Sequence, residues 1–243
     1  MFSKEPLRNR GELSFKDALE GAHEIVGRRY AAAQEAQKRI RVEQGFELHL
    51  PRKTLVFANG HLGAGKTRAT NMLEECVPIV VVDKDDIGDM FTESRKSDIH
   101  ARMRNRCYEV LYAVADSHLN AGRSVLLDVP FNDRKDFYGN EEWERHMREL
   151  AGRSQADLRV IWCVATSDEK ERRILVRAST RETDRSPAEI RALAERVDIP
   201  PIPFDHILFD TEVPDHEKAK VLQEFLGISL RGKRVPAESS ANS

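Results

Sequence analysis

Cysteine is scarce in this chain of 243 residues: only Cys76, Cys107 and Cys163 occur, odd in number and widely spaced. That excludes a disulfide framework and offers no zinc-ligand spacing; it points to reduced thiols in a cytoplasmic setting. Long apolar runs are also missing. The longest are short stretches such as Pro78–Val82, far below the roughly 18 residues a membrane-spanning helix needs, so no membrane partner is expected. Met1 to Arg10 is polar and charged, without the apolar core of a signal peptide. Charge of one sign is lacking too: 39 Lys+Arg stand against 41 Asp+Glu, a net charge of −2. This argues against a dedicated, strongly cationic nucleic-acid binder, although a local basic groove passes that test. Internal repeats and low-complexity segments are absent. What is present, 40% hydrophobic and 33% charged residues, suffices to bury a core and argues against wholesale disorder. The length fits one α/β domain with an appendage, or at most two small domains.

Residues 1–50 read as an N-terminal helical extension. Ser14 and Asp17 make a capping pair, and Phe15, Leu19, Ala22, Val26, Tyr30, Ala33 and Ile40 recur mostly at three- or four-residue spacing up to an end near Gly45. Such a helix packs against the main domain; a homo-oligomer contact or a substrate lid is the other use of the same stripe. From residue 53 to 227 short apolar runs alternate with amphipathic helices. The strands expected are Thr54–Ala58, Ile79–Val82, Ser124–Leu127, Leu158–Val164 and His206–Phe209. The helices are 66–76, 98–121, 141–151, 168–180, 187–197 and Pro214–Leu226. Val- and Leu-rich strands without polar alternation are those of a parallel sheet buried on both faces, and strand–helix alternation points to a doubly wound α/β domain. Residues 231–243 read as a flexible tail.

Gly60-His61-Leu62-Gly63-Ala64-Gly65-Lys66-Thr67 fits G-x-x-x-x-G-K-[ST] at every fixed position, after an apolar strand and at the opening of a helix. Glycines let the backbone turn its N–H groups around phosphate oxygens, and the helix that follows adds its positive end. Lys66 can reach the β- and γ-phosphates, and Thr67 offers a hydroxyl to Mg²⁺. These eight residues and the adjoining Arg68 are the candidate ATP-binding set. The fold expected is therefore a P-loop NTPase fold: a parallel five-stranded sheet flanked by helices, with the extra N-terminal helix.

The second strand ends in Asp83-Lys84-Asp85-Asp86, at the sheet edge where ligands sit in open α/β folds. A carboxylate beside the γ-phosphate could orient an acceptor hydroxyl. With an ordinary pKa near 3.9 it is ionised, and it works mainly by positioning, taking the proton late. The alternative is a solvated turn with helix caps. Ser124–Asp128 is a Walker-B-like strand ending in an acid, and Asp128 could hold Mg²⁺ through water or brace the acceptor pocket. Spacing leaves open whether Asp83 or Asp128 serves the metal. Phe131, Asn132 and Arg134 follow at the same edge, as acceptor-pocket candidates or as a plain loop.

An apolar strand and P-loop, followed by a strand ending in (K/R)-D-D, resembles the polynucleotide-kinase-like P-loop kinases, a group that includes chloramphenicol phosphotransferase and the zeta toxins. The resemblance covers about residues 53–227. It implies that Asp85 is the acceptor-activating aspartate and Asp86 the second acid of the pair. The polynucleotide kinase pattern places an arginine for the acceptor-side phosphate at Asp85+3, where this chain has Gly88. That departure favours a small acceptor over a phosphorylated polynucleotide.

After the fourth strand come Arg172, Arg173, Arg177, Arg181 and Arg185, of which Arg173, Arg177 and Arg181 share one helical face. With Glu169, Glu171 and Glu182 nearby, one reading is a salt-bridged solvent helix. The other is a lid whose arginines neutralise charge on the transferred phosphoryl group. Glu171–Arg177 is similar to the family's E-R-L-x-x-R lid pattern. That likeness implies that Arg173, Arg177 and Arg181 form its ladder, with Arg177 and Arg181 acting on the phosphate beside Lys66 and Asp85. His206–Thr211 resembles the family's last strand, which implies Thr211 near the adenine. The function these features imply is ATP-dependent phosphorylation of a small-metabolite hydroxyl, a nucleoside-like or antibiotic alcohol, with Mg²⁺. A 5′-hydroxyl polynucleotide kinase, using Arg102, Arg104 and Arg106 as a basic groove, is the runner-up, although no D-x-D-x-T phosphatase signature accompanies it. A zeta-like toxin kinase and a non-catalytic nucleotide switch are the remaining alternatives; a GTPase would want N-K-x-D, which does not occur.

Overall fold

Thr54–Gly60 is buried at every position because it runs through the middle of a sheet with parallel neighbours on both sides. The computed structural model describes residues 14–44, 46–91, 98–129, 140–180, 186–195 and 204–232. In chain order these form α1 (Phe15–Gln44), β1 (Phe46–His49), β2 (Thr54–Gly60), α2 (Lys66–Cys76), β3 (Ile79–Asp83), α3 (Lys84–Phe91), α4 (Asp98–Asn120) and β4 (Ser124–Asp128). There follow α5 (Asn140–Ser154), β5 (Asp157–Val164), α6 (Ser167–Thr180), α7 (Pro187–Ala194), β6 (His206–Asp210), α8 (Asp215–Leu226) and β7 (Ser229–Gly232). The main sheet is parallel throughout, in the order β3-β4-β2-β5-β6. This is the P-loop NTPase fold, with each expected strand and helix of residues 53–227 present within a few residues of its expected limits. Among the described residues no helix is long and apolar enough to cross a membrane.

Side chains of successive strand residues point to opposite faces, and the two faces carry separate cores. Leu55, Phe57, Val80, Val82, Val125 and Leu127 face one way, onto α1, α4 and α5. Val56, Ala58, Val81, Leu126 and Ile161 face the other way, onto α2 and α8. The N-terminal helix is part of the first core. Its Ala18, Ala22 and Val26 are buried, and their small side chains let α1 lie close. A Cβ at Gly21 would come within 2.5 Å of Met90 Cε on α3. The stripe that could have served an oligomer contact is thus covered, at these positions, by the chain's own core.

Two features were not expected from the sequence. The acidic segment after β3 is not a turn but the helix α3. Its Asp and Gly residues are poor helix formers. However, Asp83 Oδ1 accepts the N–H of Asp85 at 2.7 Å and caps the helix, the acids of the first turn suit its positive end, and Ile87 is fully buried. Second, β1 and β7 pair antiparallel, from Phe46↔Gly232 to His49↔Ser229, joining segments near the two ends of the chain. Arg231 and Gly232, expected to open the flexible tail, belong to that strand; residues 233–243 lie outside the described ones.

The close seat of α1 makes a direct expectation. Ala22→Leu forces extra carbons into a filled contact and should lower stability by about 1–3 kcal/mol, read by urea unfolding. An unchanged midpoint would mean that α1 is not packed as described.

Candidate active site

At the carboxyl end of β2 the chain turns back on itself through residues that only glycine suits. Gly63 (φ 79°) and Gly65 (φ 94°) lie in the left-handed region. A Cβ at Gly63 would be 2.7 Å from the carbonyl oxygen of Lys170 on α6, and one at Gly65 would be 2.9 Å from Arg173 Nη1 and from Thr211. Gly65 is the N-cap of α2 and leaves that helix without a side-chain cap. The positive end of α2 therefore faces the loop, the arrangement that receives phosphate. Lys66 folds over the same loop, its ammonium donating to the carbonyls of Gly60 at 2.9 Å and His61 at 3.0 Å. Thr67 is exposed at the first turn of α2. Arg68 is drawn aside to pair with Asp215 on α8. His61 meets Trp162 edge-on, with ring centroids 6.1 Å apart, while Leu62 packs on the small cluster of Ile174, Ile190 and Ala194. Ala64 is buried.

Beside the loop two carboxylates end neighbouring strands in register, Asp83 on β3 and Asp128 on β4. Burial, and then the Asp128 charge, push Asp83 up to about 7. Asp128 is also raised, chiefly by burial; the Lys66 ammonium and a 3.1 Å hydrogen bond from Thr70 Oγ1 act against that rise. The two acids are differently engaged. Asp83 caps α3 with Oδ1, and its Oδ2 lies 3.9 Å from Arg29 Nη1. Asp128 feels the Lys66 ammonium, which favours its charge, and the Asp85 carboxylate, which opposes it. Asp85 and Asp86 occupy the first turn of α3.

Arg29, on α1, entered no expectation drawn from the sequence. Its guanidinium forks onto Glu74 of α2 (Nε to Oε1 2.7 Å, Nη2 to Oε2 2.8 Å) and donates to Asp86 Oδ2 at 3.2 Å. The only sequence signal was a cation three residues beyond Val26, on the face that α1 buries. At Gly88, where the polynucleotide kinase pattern has arginine, a Cβ would meet no heavy atom within 4 Å.

Oxygen donors at the site suit Mg²⁺. The Thr67 hydroxyl and the Asp128 carboxylate are hard ligands, and among the described residues no group of three or more His, Cys, Asp or Glu side chains could hold a metal by itself.

On α6 the arginines divide. Arg172 pairs with Glu169 on the surface, as in the salt-bridged reading. Arg173 instead reaches the loop: Nη1 donates to the Gly63 carbonyl at 3.2 Å and to Thr211 Oγ1 at 2.7 Å, while Nε holds Glu169 at 2.7 Å. Thr211 is buried, with its hydroxyl 2.8 Å from the Ala64 carbonyl. Both residues lock the loop from behind. Arg177 falls on α6, but its side chain lies outside the described residues, as do Arg181 and the acceptor-pocket candidates Phe131, Asn132 and Arg134. Of the basic-groove arginines only the side chain of Arg106 is described.

The model of a protein family described as an AAA domain matches residues 55–200. No curated protein matches the chain by sequence. Among solved structures, a candidate kinase from Chloroflexus aurantiacus aligns with a TM-score of 0.59 and 24% identity, over 73% of this chain and 98% of that one. The APS kinase of Mycobacterium tuberculosis, in complex with AMPPNP and APS, aligns at 0.49 and 18% identity, over 73% and 99%. Shikimate kinase from Acinetobacter baumannii aligns at 0.43 and 16% identity, over 73% and 95%.

The burial of Asp83 sets a pH dependence. Its unfolded value is 3.8 and its folded value about 7, so the native state binds more protons between those limits. Stability therefore falls as pH rises from about 4 to about 7 and stays reduced above. Asp83→Asn cannot ionise and keeps a capping oxygen. At pH 8 it should be more stable than the parent by on the order of 2–4 kcal/mol, with the difference shrinking towards pH 4 in urea titrations. A variant no more stable than the parent at pH 8 would show that Asp83 ionises without penalty.

Proposed function

This chain belongs to the AAA domain family, and from that premise we propose that it is an ATP-dependent kinase that transfers the γ-phosphoryl group to a hydroxyl of a small molecule. The observation that supports this is that the phosphate loop and two acid-tipped strands end at one edge of the sheet: Asp128 on β4 stands in register with Asp83 on β3, and Asp85 follows in the first turn of α3. A switch that only binds nucleotide has no need of the second acid.

In this reading the loop 60–67 and the end of α2 cradle the phosphates, and Lys66 exchanges its two carbonyl partners for β- and γ-phosphate oxygens. Asp85 accepts a hydrogen bond from the acceptor hydroxyl and aims its oxygen at the γ-phosphorus. The new P–O bond forms as the bond to the β,γ-bridging oxygen breaks, the hydroxyl proton passes to Asp85, and ADP leaves. Thr67 and Asp128 would hold Mg²⁺, which when bound neutralises phosphate charge. Arg177 and Arg181 close over the transferred group. Phe131, Asn132 and Arg134, with Asp86, line the acceptor side. Arg173 and Thr211 keep the loop in shape beside the base. A small alcohol, nucleoside-like or antibiotic, suits an acceptor end that carries Asp85 and Asp86 and has glycine at position 88.

ADP release over a panel of alcohols, nucleosides and 5′-hydroxyl oligonucleotides tests this. Asp85→Asn should lower turnover by about 10²–10⁴-fold while nucleotide affinity stays within about threefold, and Lys66→Ala should lose both. Arg177→Ala and Arg181→Ala should slow turnover more than they weaken binding. If no acceptor raises ADP release over background, the chain is a nucleotide-binding switch and not a kinase.

A further inference from the structure

The acid-tipped helix α3 is capped by Asp83 and packed through Ile87, and a side chain from the N-terminal helix ties its first turn to α2. Arg29 touches three elements at once: Glu74 near the end of α2, Asp86 in the first turn of α3, and Asp83 at the tip of β3. It arrives there because Ala18, Ala22 and Val26 bury the same face of α1 against the sheet. A second polar tie from this helix, Gln37 Nε2, donates to the carbonyls of Glu74 at 2.7 Å and Val77 at 2.6 Å. Gln37 therefore anchors α1 to the end of α2 through backbone carbonyls, away from the acidic turn. The strap thus has one anchor that involves the acidic turn and one that does not.

We infer that Arg29 is a positioning residue for the phosphoryl-transfer site: by holding Asp86 and Glu74 on one planar fork it fixes the N-terminus of α3, and with it Asp85, relative to the helix that carries the phosphates. This rests on the kinase reading for its effect on turnover, but not for its effect on α3. A guanidinium suits the task because its donors lie in a fixed plane and can serve two carboxylates together. A lysine ammonium is a point charge that keeps the attraction without the geometry. The influence reaches Asp85 through the capped first turn, where the Asp85 N–H is bound to Asp83 Oδ1 at 2.7 Å.

The full-length chain and four variants test it, with hydrogen exchange of the segment 83–91, ATP affinity and ADP release as readouts. Arg29→Met should speed exchange across 83–91. It should also lower turnover on the order of tenfold to a hundredfold, as small displacements of a reacting group do, with ATP affinity within about twofold of the parent. Arg29→Lys should recover part of both losses. Glu74→Gln, which removes the anchor but not the cation, should speed exchange less than Arg29→Met. Gln37→Ala should lower the melting temperature while leaving exchange of 83–91 and turnover at parental values. Parental exchange in Arg29→Met overturns the inference, and so does a Gln37→Ala variant that loses turnover as fully as Arg29→Met, since the effect would then be general loosening of α1. A parent chain that releases no ADP defeats the kinase reading alone, because the exchange comparison still decides whether Arg29 holds α3.

Discussion

Two carboxylates held side by side on adjacent buried strands set the terms for everything around them. Asp83 and Asp128 are in register on β3 and β4, which run about 4.8 Å apart as parallel strands do, and burial plus mutual repulsion makes their ionised forms costly. Each has been given separate compensation. Asp83 has the Asp85 N–H on one oxygen and Arg29 near the other; Asp128 has Thr70 and the field of Lys66. No nonpolar arrangement of the same strands would need any of these groups. Such costly charge clusters are kept where they do chemistry, and this one adjoins the end of α2 that suits phosphate.

The loop is shaped from outside as much as by its own glycines. Lys170 crowds Gly63, Cys163 crowds Gly60, and Arg173 with Thr211 crowds Gly65. Three elements, β5, α6 and the end of β6, therefore press the backbone into its turn, and two of the contacts are made by residues that hydrogen-bond its carbonyls. The loop backbone is thus held in its turn before any phosphate arrives, while the Lys66 ammonium is parked on the Gly60 and His61 carbonyls. The same tightness commits Arg173 to the loop and to Glu169.

The fold was legible because its signals are local. The P-loop pattern names its own strand and helix, and five short apolar runs separated by amphipathic segments leave few alternatives to a parallel sheet. What escaped was set by partners distant in the chain. α3 could not be read from Lys84–Phe91, where Gly88 and three aspartates suggest a turn; its stability comes from a cap by the preceding strand residue and from the buried Ile87. β1 and β7 are four-residue strands that exist only through each other. The ties of Thr211 to Arg173 and to the Ala64 carbonyl likewise join residues far apart in the chain.

The near-zero net charge has a structural counterpart in how the acids are matched. In the fold the described cation that binds Asp86, Arg29, comes from α1, a helix that lies before the family's shared region. This matters for how far a family pattern carries. The motifs of the shared region specify a phosphate loop and an acid pair, but here the spacing between them is held by a guanidinium from an added element, fixed by three buried small residues and a fork onto Glu74. The turn that carries the acids is therefore restrained from outside the matched region, by Arg29, as well as by the motifs themselves.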